Sequence, residues 1–129
     1  MLEFQNLFEE LFELEDPMDK YEFIMDYGNT ASSIQEFEKN SKDLVKGCTS
    51  SLWLNYNDSQ FTCQADSAIV KGLAGMICDW YNQATNTQRQ SFSINTLNDI
   101  GLAPLLSMGR QNGVNNLIAT MKVLETGEA

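Results

Sequence analysis

Histidine does not occur in this chain of 129 residues. Its absence removes the Cys–His nucleophile pair, the Ser–His–Asp triad and every imidazole metal ligand at once. Cysteine is scarce: Cys48, Cys63 and Cys78 make an odd count, with no Cys-x-x-Cys pair among them. Such a count does not suggest a disulfide framework, and with no apolar leader at the start the expected compartment is a reducing cytoplasm. Positive charge is also short, eight bases against eighteen acids, for a net charge of −10. That balance argues against nucleic acid and against an anionic membrane surface, both of which are held by Lys and Arg. It makes a basic protein surface an electrostatically attractive partner. No apolar run approaches the length of a membrane span. Neither the phosphate-cradling Gly-x-x-x-x-Gly-Lys-Ser/Thr pattern nor the dinucleotide Gly-x-Gly-x-x-Gly pattern is present. Acidic residues occur as helix-surface carboxylates, with nothing to pair two of them in a cleft.

What is present reads as one domain over residues 1–129, with no repeat, linker or low-complexity stretch. Phe4, Leu7, Phe8 and Leu11 recur at helical spacing, with acids on the other side. Asp16 followed by Pro17 opens a second helix, with Tyr21, Ile24 and Met25 on its buried stripe and a stop expected at Gly28-Asn29. Residues 29–42 read as a long polar connection, with room for one helical turn around Ser33 to Glu38. Leu44-Val45-Lys46 is a short strand candidate. Leu52, Leu54 and Tyr56 then alternate with polar or amphipathic neighbours, Asn57-Asp58-Ser59 supplies a turn, and Phe61, Cys63 and Ala65 alternate again, which predicts an antiparallel hairpin.

Asp66 is the expected cap of the next and most apolar helix, whose stripe is Ile69, Leu73, Met76, Ile77 and Trp80. Cys63 and Cys78 both fall on or beside core faces and are read as packing residues. Gly72 and Gly75 lie inside that helix at a cost relative to alanine, and suit a close approach to the sheet or room for a side chain from the turn at Cys48. Thr85-x-x-Gln88 fits a capping box. Asn95 and Ser107 are read as caps of two further helices, the last with Val114, Leu117, Ile118, Met121 and Leu124 buried.

The chemistry-bearing stretch is Val45-Lys46-Gly47-Cys48-Thr49-Ser50-Ser51-Leu52-Trp53. Gly47 suits a tight bend, and the hydroxyl residues after Cys48 favour a turn because they bond nearby backbone groups. A cysteine at a turn can meet the sulfur of another protein, and Lys46 beside it favours the reactive thiolate.

Gly47-Cys48-x-Ser50-x-Leu52-Trp53 resembles the active-site loop of the SufE-type sulfur acceptors, the partners of cysteine desulfurases in iron–sulfur cluster assembly. The family pattern has valine where this chain has Leu52. Asp66-Ser67-Ala68-Ile69-Val70-Lys71-Gly72-Leu73 resembles the family's next block. Leu106-Ser107-x-x-Arg110-x-x-Gly113 and Tyr21-x-x-Ile24-Met25-Asp26-Tyr27-Gly28 are similar to two outer ones. The family often carries a Leu-Pro turn where this chain has residues 29–42.

The resemblance implies an α+β fold, a small, mainly antiparallel sheet of about three strands with helices packed on it. It implies a sulfur carrier that accepts persulfide sulfur from a cysteine desulfurase on Cys48 and passes it to an iron–sulfur scaffold or another recipient, stimulating the desulfurase. Such a protein is an accessory of sulfur transfer rather than an enzyme with its own turnover. Cys48 would be the catalytic residue, supported by Lys46, Gly47, Ser50, Trp53, Asp66 and Arg110. No cofactor or metal of its own is expected; pyridoxal phosphate would belong to the desulfurase, and a homodimer stays open. The rival reading is a non-enzymatic scaffold or interaction domain that binds an iron–sulfur cluster or zinc, which would need several converging thiolates.

Overall fold

A computed structural model describes residues 10–11, 13–35, 43–45, 51–91 and 108–126. Leu11 belongs to the first expected apolar stripe and is fully buried, with residues 10, 11 and 13 helical. Helix α1 (Pro17–Thr30) starts as its sequence predicts: Asp16 takes the cap position, accepts from the Met18 N–H at 2.9 Å, and Pro17 occupies the first turn. Lys20, although charged, is buried because its Nζ donates to the Leu11 carbonyl at 2.7 Å.

The helix does not stop at Gly28. It runs through it to Thr30, and the Ala31 N–H then closes on the Tyr27 carbonyl at 2.8 Å. Gly28 is spent on packing instead of termination. A Cβ there would lie 2.9 Å from the backbone nitrogen of Gly72.

Strands β1 (Leu52–Asn57) and β2 (Gln60–Ala65) pair antiparallel, with Leu54 opposite Cys63 and Tyr56 opposite Phe61. The turn between them holds Asp58 and Ser59 at φ 53° and 64°. Two positive φ values at the tip of a two-residue hairpin suit the right-handed twist of the strands. The fold class is α+β as expected. The third strand is not formed among the described residues. Leu44 makes a single antiparallel bridge to Trp53, and on the other side Ile34 makes a single parallel bridge to Cys63. Ser33 and Gln35 complete that contact: the Cys63 N–H donates to the Ser33 carbonyl at 2.9 Å and the Gln35 N–H donates to the Cys63 carbonyl at 3.4 Å. The stretch from Ser33 to Gln35, part of the expected polar connection with room for a helical turn, is therefore drawn to the sheet. Polar side chains leave it no apolar stripe to bury as a helix, whereas β2 offers open backbone groups.

Helix α2 (Ala68–Gln83) backs the sheet and crosses α1. Its two glycines make room for α1 and for the segment that follows it. A Cβ on Gly72 would fall 2.0 Å from the Ile24 carbonyl oxygen, and one on Gly75 would meet Ala31 and Ile34 at 3.1 and 3.3 Å. Ser67, not Asp66, occupies the cap position of α2, and no side-chain cap bond forms there. Helix α3 (Asn86–Ser91) opens on the expected reciprocal box: Thr85 N–H to Gln88 Oε1 at 2.8 Å, Gln88 N–H to Thr85 Oγ1 at 3.2 Å. Helix α4 (Met108–Thr126) packs Val114, Leu117, Ile118 and Met121 into the core. The helix expected from Asn95, and Ser107 as a cap, lie outside the described residues.

Candidate functional site

The backbone at one end of the hairpin defines where the Cys48 stretch is attached. The Val45 N–H donates to the Leu52 carbonyl at 2.8 Å, which ties together the two chain segments on either side of residues 46–51. The Asp66 N–H donates to the Ser51 carbonyl at 3.1 Å, extending the β1–β2 ladder by one step. Val45 and Leu52 are buried side chains, so the tie rests on the core. Cys48, Lys46, Gly47 and Ser50 lie outside the described residues. Covalent reach alone keeps Cys48, three positions from Val45, within about 11 Å of it.

Two of the residues expected to support Cys48 are described at this end. Trp53 sits on β1 opposite Gln64 and bridges to Leu44, on the strand face opposite to that of Leu52 and Leu54; it is half-buried. Asp66 is exposed, and its main chain, rather than its carboxylate, makes the contact to Ser51. Leu44 beside them is, among the described residues, one of few large apolar ones left exposed, at 39 %. Arg110 lies in the first turn of α4, a helix that touches β1.

The other two thiols are placed differently. Cys63, on the inward face of β2, and Cys78, on α2, are both 0 % exposed. The neighbouring Cys63 side chain, together with burial, holds the Cys78 thiol well above its ordinary pKa. Sequence periodicity put each on a core face but carried no signal for their being neighbours, because it does not set how far a strand slides along a helix. Among the described residues no group of three or more cysteine or carboxylate side chains converges as a metal site would require.

Behind the sheet lies a polar knot that sequence reasoning missed. Asp79, 6 % exposed, accepts from the Tyr27 hydroxyl, from the Ser33 N–H at 3.0 Å and from Ser32 Oγ at 3.3 Å. Ser33 Oγ donates to the Gly75 carbonyl at 3.0 Å. Burial and the neighbouring carboxylate push the Tyr27 hydroxyl well above its usual pKa. The knot fixes the segment that edges β2, and so helps set the plane of the sheet.

A family model described as "SufE: Fe-S metabolism associated domain" matches residues 5–124. Two curated relatives from Nicotiana tabacum, each named "Quinolinate synthase, chloroplastic", are 28% identical over 127 residues. The match covers 92% of this chain and 18% of each relative, so the chain spans less than a fifth of their length. No helix among the described residues is long and apolar enough to cross a membrane.

Proposed function

The chain belongs to the SufE family, whose domain is associated with Fe–S metabolism, and on that premise we propose that it accepts persulfide sulfur from a cysteine desulfurase on Cys48, passes it on for iron–sulfur cluster assembly and stimulates the desulfurase in doing so. The observation that carries this reading is the burial of the other two thiols. Cys63 and Cys78 have no exposed surface. That leaves Cys48 as the thiol this reading assigns to the exchange with a partner.

The transfer balances as a thiol–disulfide exchange. The Cys48 thiolate attacks the terminal sulfur of the partner's persulfide. A sulfur–sulfur bond forms on Cys48, the partner's sulfur–sulfur bond breaks, and the partner's cysteine leaves as a thiolate. Pyridoxal phosphate stays with the desulfurase, so the carrier needs no cofactor. With no histidine in the chain, positive charge must favour the thiolate. Lys46 and Arg110 take that role in the reading, Gly47 and Ser50 shape the bend, Trp53 walls it, and exposed Asp66 lies towards the desulfurase. A persulfide is destroyed by oxidants, so the compartment is reducing, and the cytoplasm meets that need.

The test combines the purified chain with a pyridoxal-phosphate cysteine desulfurase and free cysteine, followed by intact and peptide mass. The expected result is one added sulfur atom on Cys48, lost on treatment with a thiol reductant. Trypsin leaves Cys48 and Cys63 on one peptide, 47–71, so fragmentation must place the sulfur. No added sulfur beside a desulfurase shown to be active overturns the proposal, as does sulfur placed on Cys63.

A further inference from the structure

The turn end of the hairpin carries a charged hollow that sulfur transfer does not use. Among the described residues, Arg89, Gln90, Lys122 and Glu125 line a space of about 230 Å³ between α3 and the last turns of α4. A wider open cleft of about 640 Å³ adjoins it, sharing Arg89, Gln90 and Glu125 and continuing past Asn86 to Tyr56 and Gln60 of the hairpin. The opposite charges in the hollow do not satisfy each other. Glu125 stands in the last turn of α4, where the negative end of the helix dipole disfavours an acid. Arg89 lies 3.3 Å from Glu125 Oε2, near enough for an ion pair, yet that oxygen is buried without a hydrogen-bond partner. The guanidinium is held elsewhere, by its Nε bond to the Tyr81 carbonyl and by the rings of Phe61 and Tyr81, so it is not aligned with the carboxylate. A buried acceptor without an aligned donor is rare in a folded protein and suits a place where a ligand completes the bonding. Lys122, three residues before Glu125, is its neighbour on the surface of the same helix, with Cβ atoms about 5–6 Å apart by helix geometry. Its Nζ reaches the Gln90 carbonyl at 3.3 Å, longer than an ordinary bond.

We propose that this hollow binds the headgroup of a free α-amino acid, its ammonium on Glu125 and its carboxylate on Lys122, with the side chain lying along the adjoining cleft. This does not rest on sulfur transfer at Cys48. A simple anion would meet the repulsion of Glu125 and of the helix terminus, and a simple cation that of Lys122 and Arg89. A ligand that carries both signs on neighbouring atoms is attracted by both. The headgroup of an amino acid has its two charges on one carbon, which matches two partners that are neighbours on one helix face. Its ammonium brings three donors, and so gives the Glu125 carboxylate the aligned bond that Arg89 does not. Arg89 holds Glu125 in place from the core side and need not touch the ligand. The amides of Gln60, Asn86 and Gln90 offer uncharged hydrogen-bonding partners to a side chain in the cleft.

The test follows the backbone amide resonances of the whole isotope-labelled chain while L-alanine, L-serine and L-glutamine are each titrated through the millimolar range. The expected result is a set of saturable shifts with at least one of them, centred on residues 85–91 and 122–125. The N-acetyl form and the methyl ester of the same amino acid, each lacking one of the two charges, are expected to give no saturable shift. Glu125→Gln and Lys122→Met should each weaken binding about tenfold or more, the worth of one hydrogen bond to a charged group, while Lys122→Arg keeps it. The same spectra report whether each variant is folded, and Lys122→Met decides the outcome if Glu125→Gln disturbs the core. Absence of saturable shifts with all the amino acids overturns the proposal. So do equal shifts with the blocked forms, shifts centred elsewhere on the chain, or undiminished affinity in Lys122→Met.

Discussion

The two ends of the β1–β2 hairpin are secured by different means. At the turn end, side chains hold it. Asn82 grips the Phe61 backbone, Phe61 packs against Tyr56 at 4.4 Å between ring centroids and edge-on to Tyr81, and Arg89 lies over both Phe61 and Tyr81. Arg89, 8 % exposed, also donates from Nε to the Tyr81 carbonyl at 2.7 Å and pairs with Glu125 at 3.3 Å. At the other end the main chain does the holding, through Val45 to Leu52 and Asp66 to Ser51, and the side chains of Leu44 and Asp66 stay exposed. A backbone tie survives a change of side chain. An end built that way can vary its surface to suit a partner while keeping its shape, whereas the turn end tolerates little.

Cys48→Ser tests the open end most severely. Sulfur acceptance is expected to vanish, read as loss of the added sulfur mass, while Cys63→Ser retains it. Retained transfer in Cys48→Ser would remove the functional half of the contrast. Gly72→Ala comes next, because the new Cβ would sit 2.0 Å from the Ile24 carbonyl oxygen, a backbone atom that cannot swing aside. Alanine's helix preference returns about 1 kcal/mol, yet overpacking against backbone is expected to leave a net loss of about 3 kcal/mol in denaturant unfolding. An unchanged midpoint would mean that the α1–α2 crossing is looser than the contact implies.

Arg89→Ala breaks the closed end. It strands the Glu125 carboxylate and uncovers two rings, and since Glu125 keeps 21% of its side-chain surface the loss is expected near 2 kcal/mol. Transfer per folded molecule should persist, because the lesion lies at the opposite end of the hairpin from Val45 and Leu52. The same end has a pH signature. Burial, then the Glu125 charge, pushes the Tyr81 hydroxyl up to about 12. The unfolded chain releases that proton from about pH 10, so stability is full below pH 10 and falls as pH rises towards 12. Tyr81→Phe should flatten that slope in melting curves. The smallest effect is expected for Asp66→Asn. The structural bond at this position comes from its N–H, and Ser67 holds the cap position, so the melting temperature should move by less than about 2 °C. Any larger fall in transfer with the desulfurase would then belong to the interface.

Local chemistry was legible in the sequence and long-range fit was not. The Asp16-Pro17 opening, the Thr85–Gln88 box and the period-two alternation around Asn57-Asp58-Ser59 are each read within a few residues, and each is present as expected. Gly28 looked like a stop because its neighbour across the core, Gly72, is remote in sequence. Arg89 sits in a short polar helix with no apolar period, so nothing local marked it as buried. The hold on Ser33 by Asp79 spans 46 residues, and it explains why the stretch after α1 edges the sheet instead of coiling. Of the candidate site, the anchors of the Cys48 stretch followed from strand alternation. The Asp66 contribution did not, since a residue's preference as a cap says nothing about what its N–H will meet.

The grip of Asn82 on Phe61, together with that of Ser33 and Gln35 on Cys63, has a bearing on how copies of this chain behave in a crowded solution. These four bonds occupy successive outward N–H and carbonyl groups along the free side of β2. A two-stranded sheet would ordinarily offer that row as a template for another molecule's strand, the route by which edge-to-edge aggregation begins. Here the template is already filled, by a side chain that imitates a strand and by a stretch of chain too short to be one.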